Sequence, residues 1–242
     1  MLIDAGDRSG FRRAVLPSLR RLGIAPDAVV ISPPDGGHFG AGGEVFDALP
    51  VRQVLLPVAD SRSPALQSWL QGARTAGAAV LQANPRATLP VGDGAMLDVL
   101  LAPDLALARA SADERVAVFL LRCNGWRVML TNDAGAAAEL ALLRSGMDLG
   151  ADVIVAGRNR RDHTLSPDFL DAVHPRAVVA THADFPEPER IPEDLVAELQ
   201  RRGVPLFHQG QAGGVTLRFR QDALEINGFV NGQTIQLPRK GP

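Results

Sequence analysis

Two apolar runs of strand length, Val116–Arg122 and Trp126–Leu130, are separated only by Cys123-Asn124-Gly125. Asn-Gly between such runs makes a tight hairpin, because both central positions of the favoured turn need positive φ. An antiparallel pair is therefore expected in mid-chain. A second hairpin, Gly214–Arg220 with Ala223–Asn227, closes the chain. Two hairpins fit poorly into a doubly wound sheet, whose parallel strands each return through a crossover. An α/β sandwich of two sheets with helices outside, αββα, suits the pattern better.

The remaining elements follow from periodicity. Phe11, Val15, Leu19 and Leu22 recur at helical spacing, with Pro17 as a kink or a late start and Gly23 as a stop. Gly43–Leu49, Pro64–Ala76, Ala134–Arg144, Pro167–Ala172 and Glu193–Arg201 are the other expected helices. Leu2–Asp4, Ala28–Ile31, Gln53–Val58, Ala78–Gln82, Leu97–Leu101, Asp152–Val155 and Ala177–Ala180 are expected strands. Each half is expected to mix meander strands with two or three helices. No repeat or linker stands out, so residues 1–242 are read as one domain.

Composition bounds the function. A net charge of −2 argues against a surface that coats nucleic acid everywhere, while leaving room for a local basic patch. Lys240 is the only lysine, so positive charge resides in arginines, whose planar fork suits phosphate or carboxylate. The single Cys123 excludes an internal disulfide and a cysteine-based zinc cluster. No apolar run is long enough to span a membrane, and the first residues lack a signal-peptide pattern; a soluble chain is expected.

Four stretches carry candidate chemistry. In Val29–Gly43 an apolar strand runs into Ser32, Pro33, Pro34, Asp35, two glycines and His38. Asp35 and His38 are close enough in the loop to reach one metal, yet two ligands do not make a zinc site, and a strand-to-helix loop explains the stretch equally well. Asp133, between a strand and a helix, reads as an N-cap or first-turn acid. Asp4 and Asp7 are explained by the turn after the first strand. Arg158, Arg160 and Arg161 follow the strand DVIVAG, either as a solvated loop or as an anion clamp. His163, His182 and His208 lie in loops or at strand ends, and no residue in sequence pairs any of them with a nucleophile.

Taken in order, these stretches resemble a known family. LIDAG, RLGI, the S-x-P-D-x-x-H-x-G loop, T-x-D, GADV, FLDAVHPRAVVAT and GGVTL are similar, across essentially the whole chain, to the metallo-β-lactamase-type domain of ComEC-like competence proteins. Those proteins are membrane channels for DNA uptake. The resemblance implies an αββα sandwich with a two-metal hydrolase site, and strands before LIDAG that this chain lacks. The family loop S-H-P-D-x-D-H-x-G-G has Pro33 at its first His and Gly37 at its second Asp, while Asp35 and His38 are kept. Asp133 matches the bridging Asp. The family's HHGS falls on Arg158-Asn159-Arg160-Arg161, and its later His-Pro on Ile191-Pro192.

The implied metal set thus shrinks to Asp35, His38 and Asp133, and arginines arrive beside it. At ~5 Å and an effective dielectric near 20, each arginine repels a unit charge by about 3 kcal/mol before screening. The leading reading is a non-catalytic domain with no cofactor, whose Arg158, Arg160 and Arg161 contact the phosphates of single-stranded DNA. Two readings stand beside it: a phosphodiester hydrolase holding one Zn, Mn or Mg ion, and a structural domain of a membrane channel. A further arrangement brings His182 and His208 together with His38. The resemblance implies the extracytoplasmic side of the inner membrane.

Overall fold

A computed structural model of the chain describes residues 1–32, 36–56, 63–102, 116–159, 162–182 and 190–239. The chain divides into two compact units, residues Met1–Pro85 with Ala102–Ala117, and Arg86–Leu101 with Val118–Pro242.

In the first unit, β1 (Leu2–Ile3), β2 (Ala28–Val30), β3 (Gln53–Leu56) and β4 (Ala79–Gln82) pair in chain order, and every pair is parallel. Among the described residues of this unit no meander forms: each strand returns through a helical connection, as parallel pairing requires. The first connection is one helical run with a defect: α1 (Arg8–Gly10), a π-helical turn (Phe11–Val15) and α2 (Leu16–Leu22). Pro17 has no N–H to return to the preceding turn, and the wider turn lies just before it, with Leu16 N–H reaching Phe11 O. Gly23, at φ +66°, ends the run. Next come α3 (Gly36–Phe39), α4 (Glu44–Ala48) and α5 (Pro64–Thr75), the last capped by Ser63 Oγ. Phe11, Val29, Ile31, Val54, Leu56, Leu66, Trp69 and Leu70 form the core of this unit.

The second unit holds a mixed seven-stranded sheet. Its strands are β5 (Thr88–Gly92), β6 (Ala95–Leu101), β7 (Val118–Cys123), β8 (Trp126–Asn132), β9 (Val153–Ala156), β10 (Ala177–Ala180) and β11 (Leu206–His208). They lie in the order β11-β10-β9-β8-β7-β6-β5. β5 to β8 pair antiparallel, and β8 to β11 parallel. The mid-chain hairpin forms as expected, with Asn124 and Gly125 at φ +52° and +79°. The parallel half is connected by α6 (Ala136–Arg144), α7 (Pro167–Val173) and α8 (Glu193–Arg201).

After α9 (Gln209–Ala212), the expected terminal hairpin becomes a three-stranded antiparallel sheet of β12 (Val215–Phe219), β13 (Ala223–Gly228) and β14 (Thr234–Pro238). Leu224, Ile226 and Leu237 pack with Trp126, Val128, Val153, Val179 and Phe207 of the larger sheet. Trp126 Nε1 donates to Arg220 O at 3.0 Å, which satisfies the indole inside this core. No helix among the described residues is long and apolar enough to cross a membrane.

Candidate functional site

Parallel strands finish on the same edge, and loops that leave that edge converge. In the first unit β1 and β2 run parallel and end together, which sets Asp4 beside Ser32. The Asp4 carboxylate accepts from Ser32 N at 2.8 Å and Ser32 Oγ at 2.6 Å, and stands 2.9 Å from His38 Nδ1. Asp4 has φ +55°, a left-handed conformation that Asp tolerates better than most residues. Backbone bonds fix the same corner: Ala5 N and Gly6 N both donate to His38 O, at 2.9 and 3.1 Å. Asp4 is therefore more than a turn residue. It orients the imidazole of His38, as an outer carboxylate does for a ligating or proton-carrying histidine. Asp7 is a plain N-cap, accepting from Gly10 N at 2.6 Å. Asp35 lies outside the described residues.

In the second unit β8, β9, β10 and β11 deliver their ends to one edge. Asp133 follows β8, Gly157 and Arg158 follow β9, His182 follows β10, and His208 ends β11. The ladder between β8 and β9 shifts register between Leu130 and Asn132, and Asn132 sits at φ +52°. Gly157 N donates to Asn132 O at 2.7 Å, and Asn159 Nδ2 to Asp133 O at 3.0 Å. Asp133 is not the cap of α6, as expected from sequence. Gly135 holds the N-cap position, and Asp162 Oδ2 accepts the Ala136 N–H at 2.8 Å.

His182 is buried, at 3% exposure. Burial pushes its pKa down to about 4, helped by Arg158 and His208 and opposed by Asp133. Asp133, Arg158 and His208 thus lie within electrostatic reach of His182. Arg158 Nη1 donates to Arg190 O, which anchors the guanidinium. Arg160 and Arg161 lie outside the described residues. His163 is exposed, with Nδ1 at 3.9 Å from Asp194 Oδ2.

Solved structures share this architecture. The metallo-β-lactamase-fold protein YhfI from Bacillus subtilis superimposes with a TM-score of 0.58 at 11% identity, over 97% of this chain and 86% of that one. Tm1679, a metal-dependent hydrolase of the β-lactamase superfamily, gives 0.55 at 14% identity, over 98% and 88%. The chain has the metallo-β-lactamase fold. Zinc-bound PqqB from Methylobacterium extorquens, with a TM-score of 0.53 at 12% identity over 85% and 80%, carries a metal on the same fold.

No family model matches the sequence. ComE operon protein 3 of Bacillus subtilis (strain 168) is 21% identical over 209 residues, which cover 86% of this chain and 26% of that protein. The chain thus spans about a quarter of the length of the curated relative it matches.

The metal that this fold carries elsewhere can be tested against the donors present. Among the described residues, no three His, Cys, Asp or Glu side chains form a group able to hold a metal ion. The group around His182 includes the Arg158 guanidinium, whose charge repels a cation. The described residues do not fit a two-metal centre. The sequence alone explains Asp4 as a turn residue and gives Ser32 no partner, because the two lie 28 residues apart. The only available signal was LID at a strand end followed by a second strand that ends in Ser.

Proposed function

We propose that this chain is a non-catalytic metallo-β-lactamase-fold domain associated with DNA uptake through a ComEC-like channel. In this reading the loop after β9 contacts phosphates of single-stranded DNA through Arg158, Arg160 and Arg161. Its partners are that strand and a channel domain, and its place is the extracytoplasmic side. The carrying observation is Arg158 itself: an anchored guanidinium at the end of β9, in a group whose described members assemble no metal set. The similarity to ComE operon protein 3 supports the link to competence. A fluorescent oligothymidylate titration tests it. Salt-sensitive binding that vanishes when the three arginines become alanine supports the reading. Binding that the triple variant leaves unchanged overturns it, and no binding at all leaves a structural domain.

A second reading has its own observation, the Asp4–His38 pair. An imidazole oriented by a fixed carboxylate suits a retained single-metal site with Asp35, His38 and Asp133, for Zn, Mn or Mg. Elemental analysis of the purified chain separates the two. About one metal per chain, lost in His38→Ala, would favour hydrolysis, and its absence would favour the binding domain.

A further inference from the structure

A cleft of about 260 Å³ opens beside the group around His182, lined by Arg158, Asn159, Asp162, His163, Thr164, His182 and Pro192. It is small for an organic-ligand pocket and suits one polar group rather than a nucleobase with its sugar. Two nitrogens on its walls, Arg158 Nε and His182 Nδ1, are closed off from solvent and make no hydrogen bond among the described residues. A buried polar atom without a partner is costly, so two on adjoining walls mark a place that a ligand completes.

The charges around the cleft narrow the ligand. Arg158 is the one anchored cation among the described residues that line it. His182 lies too far below its ordinary pKa to be charged at neutral pH, and so offers hydrogen bonding without charge. His163 stands at the mouth, exposed and paired at long range with Asp194. Two carboxylates oppose an anion. Asp162 is engaged by Ala136 N and His163 N at 2.8 Å each, where the positive end of α6 offsets it. Asp133 lies close enough to His182 to oppose its deprotonation. With Asp162 offset by α6, one guanidinium can neutralise a singly charged group, whereas a dianionic phosphate leaves a charge uncompensated beside Asp133.

We infer that this cleft takes a single phosphodiester group, with Arg158 carrying the charge and His182 and Thr164 supplying neutral hydrogen bonds. The inference rests on the nucleic-acid reading above and deepens it: internal linkages are held, terminal phosphates are not. His182 and Thr164 become determinants of that choice.

The test uses the full chain with ¹⁵N-labelled histidine. Thymidylyl-thymidine, its uncharged methylphosphonate analogue and thymidine 5′-monophosphate are titrated at pH 7.5, and the imidazole signals are followed. The dinucleotide is expected to shift the His182 signals to saturation. The analogue and the monophosphate should bind at least fivefold more weakly. Arg158→Gln should weaken the dinucleotide tenfold or more, and Thr164→Val by a few fold. His182→Asn is added, with its melting curve compared to wild type; Thr164→Val carries the test if that variant fails to fold. Equal or tighter binding of the monophosphate or the analogue overturns the inference. If oligothymidylate binds through the arginines while the His182 signals stay fixed, the inference falls and the DNA-binding reading stands. If neither oligonucleotide nor dinucleotide binds, both fall.

Discussion

Asp133 packs its carboxylate directly on the Cα of Gly157. A Cβ built at position 157 would overlap Asp133 Oδ1 and stand 2.8 Å from Asn132 O. The obstacle includes backbone held in the β8–β9 ladder, which has little freedom to yield. Gly157→Ala should therefore destabilise the second unit by roughly 2 kcal/mol, in the range for overpacking a tight site. Urea denaturation with an unchanged slope would report this as a loss of stability. Gly157→Ala at wild-type stability would mean that Asp133 swings away freely, and its place in the site would be in doubt.

The Asp4 carboxylate serves three donors, so its loss should cost more than the loss of any one of them. Asp4→Ala leaves Ser32 N and Oγ, buried at 0% exposure, without their acceptor, and releases His38. A cost of about 3 kcal/mol is expected, since a stranded buried donor costs ~1–3 kcal/mol. His38→Ala should cost less than half of that, because Asp4 keeps Ser32. A double-mutant cycle between positions 4 and 38 checks the pair, with a coupling near 1 kcal/mol expected. Zero coupling would make the contact incidental.

Both variants bear on what sequence could reveal. The Asn124-Gly125 turn was legible because its chemistry is local: two positive-φ residues between two apolar runs. The parallel pairing of β1 to β4 was not legible, and the described strands of the first unit are linked by helices rather than arranged as a meander. Strands of two to four residues leave too few alternating positions to show their pairing. β5 escaped notice because Pro90 and Gly92 argue against a strand; it is tolerated as the sheet edge, with its register shifted between those residues. β14 is likewise an edge, short and half polar. Asp133, Arg158 and His38 stand out in the sequence because motifs surround them. Asp4 could not be assigned its role, because Ser32 lies 28 residues away and only the parallel pairing of β1 with β2 brings the two together.

Two buried ionisable groups should give stability a pH dependence of opposite sign. His182 has a folded pKa of about 4 against an ordinary value of 6.5, so its contribution is present above 6.5 and is lost as pH falls toward 4. The loss is on the order of 3 kcal/mol across that window. Glu139, buried in α6, accepts the Leu165 and Ser166 N–H groups that precede α7, and burial raises its pKa. Its contribution is full below the ordinary carboxylate value and fades as pH rises through the raised one. Urea midpoints from pH 4 to 8 should thus fall on the acid side in wild type. They should fall less steeply in His182→Asn, which keeps a polar side chain but cannot titrate. An acid limb of equal slope in that variant would place the titrating group elsewhere.

If the chain binds single-stranded DNA as proposed, the salt dependence of that binding separates a phosphate contact from a structural arginine. Each phosphate neutralised on a single strand contributes about −0.7 to the slope of log affinity against log salt. Arg158→Ala should therefore reduce the slope by about 0.7 along with the affinity, because it removes one cation from the strand. Arg176 is the contrasting case: it stands 5.8 Å from the Trp126 ring centroid, and its Nη2 donates to Pro238 O at 2.7 Å. Arg176→Ala should lower the melting temperature and leave the slope as it was. If Arg158→Ala also destabilises the fold with no change in slope, the guanidinium serves its bond to Arg190 O and the charge balance around His182, and phosphate is held elsewhere.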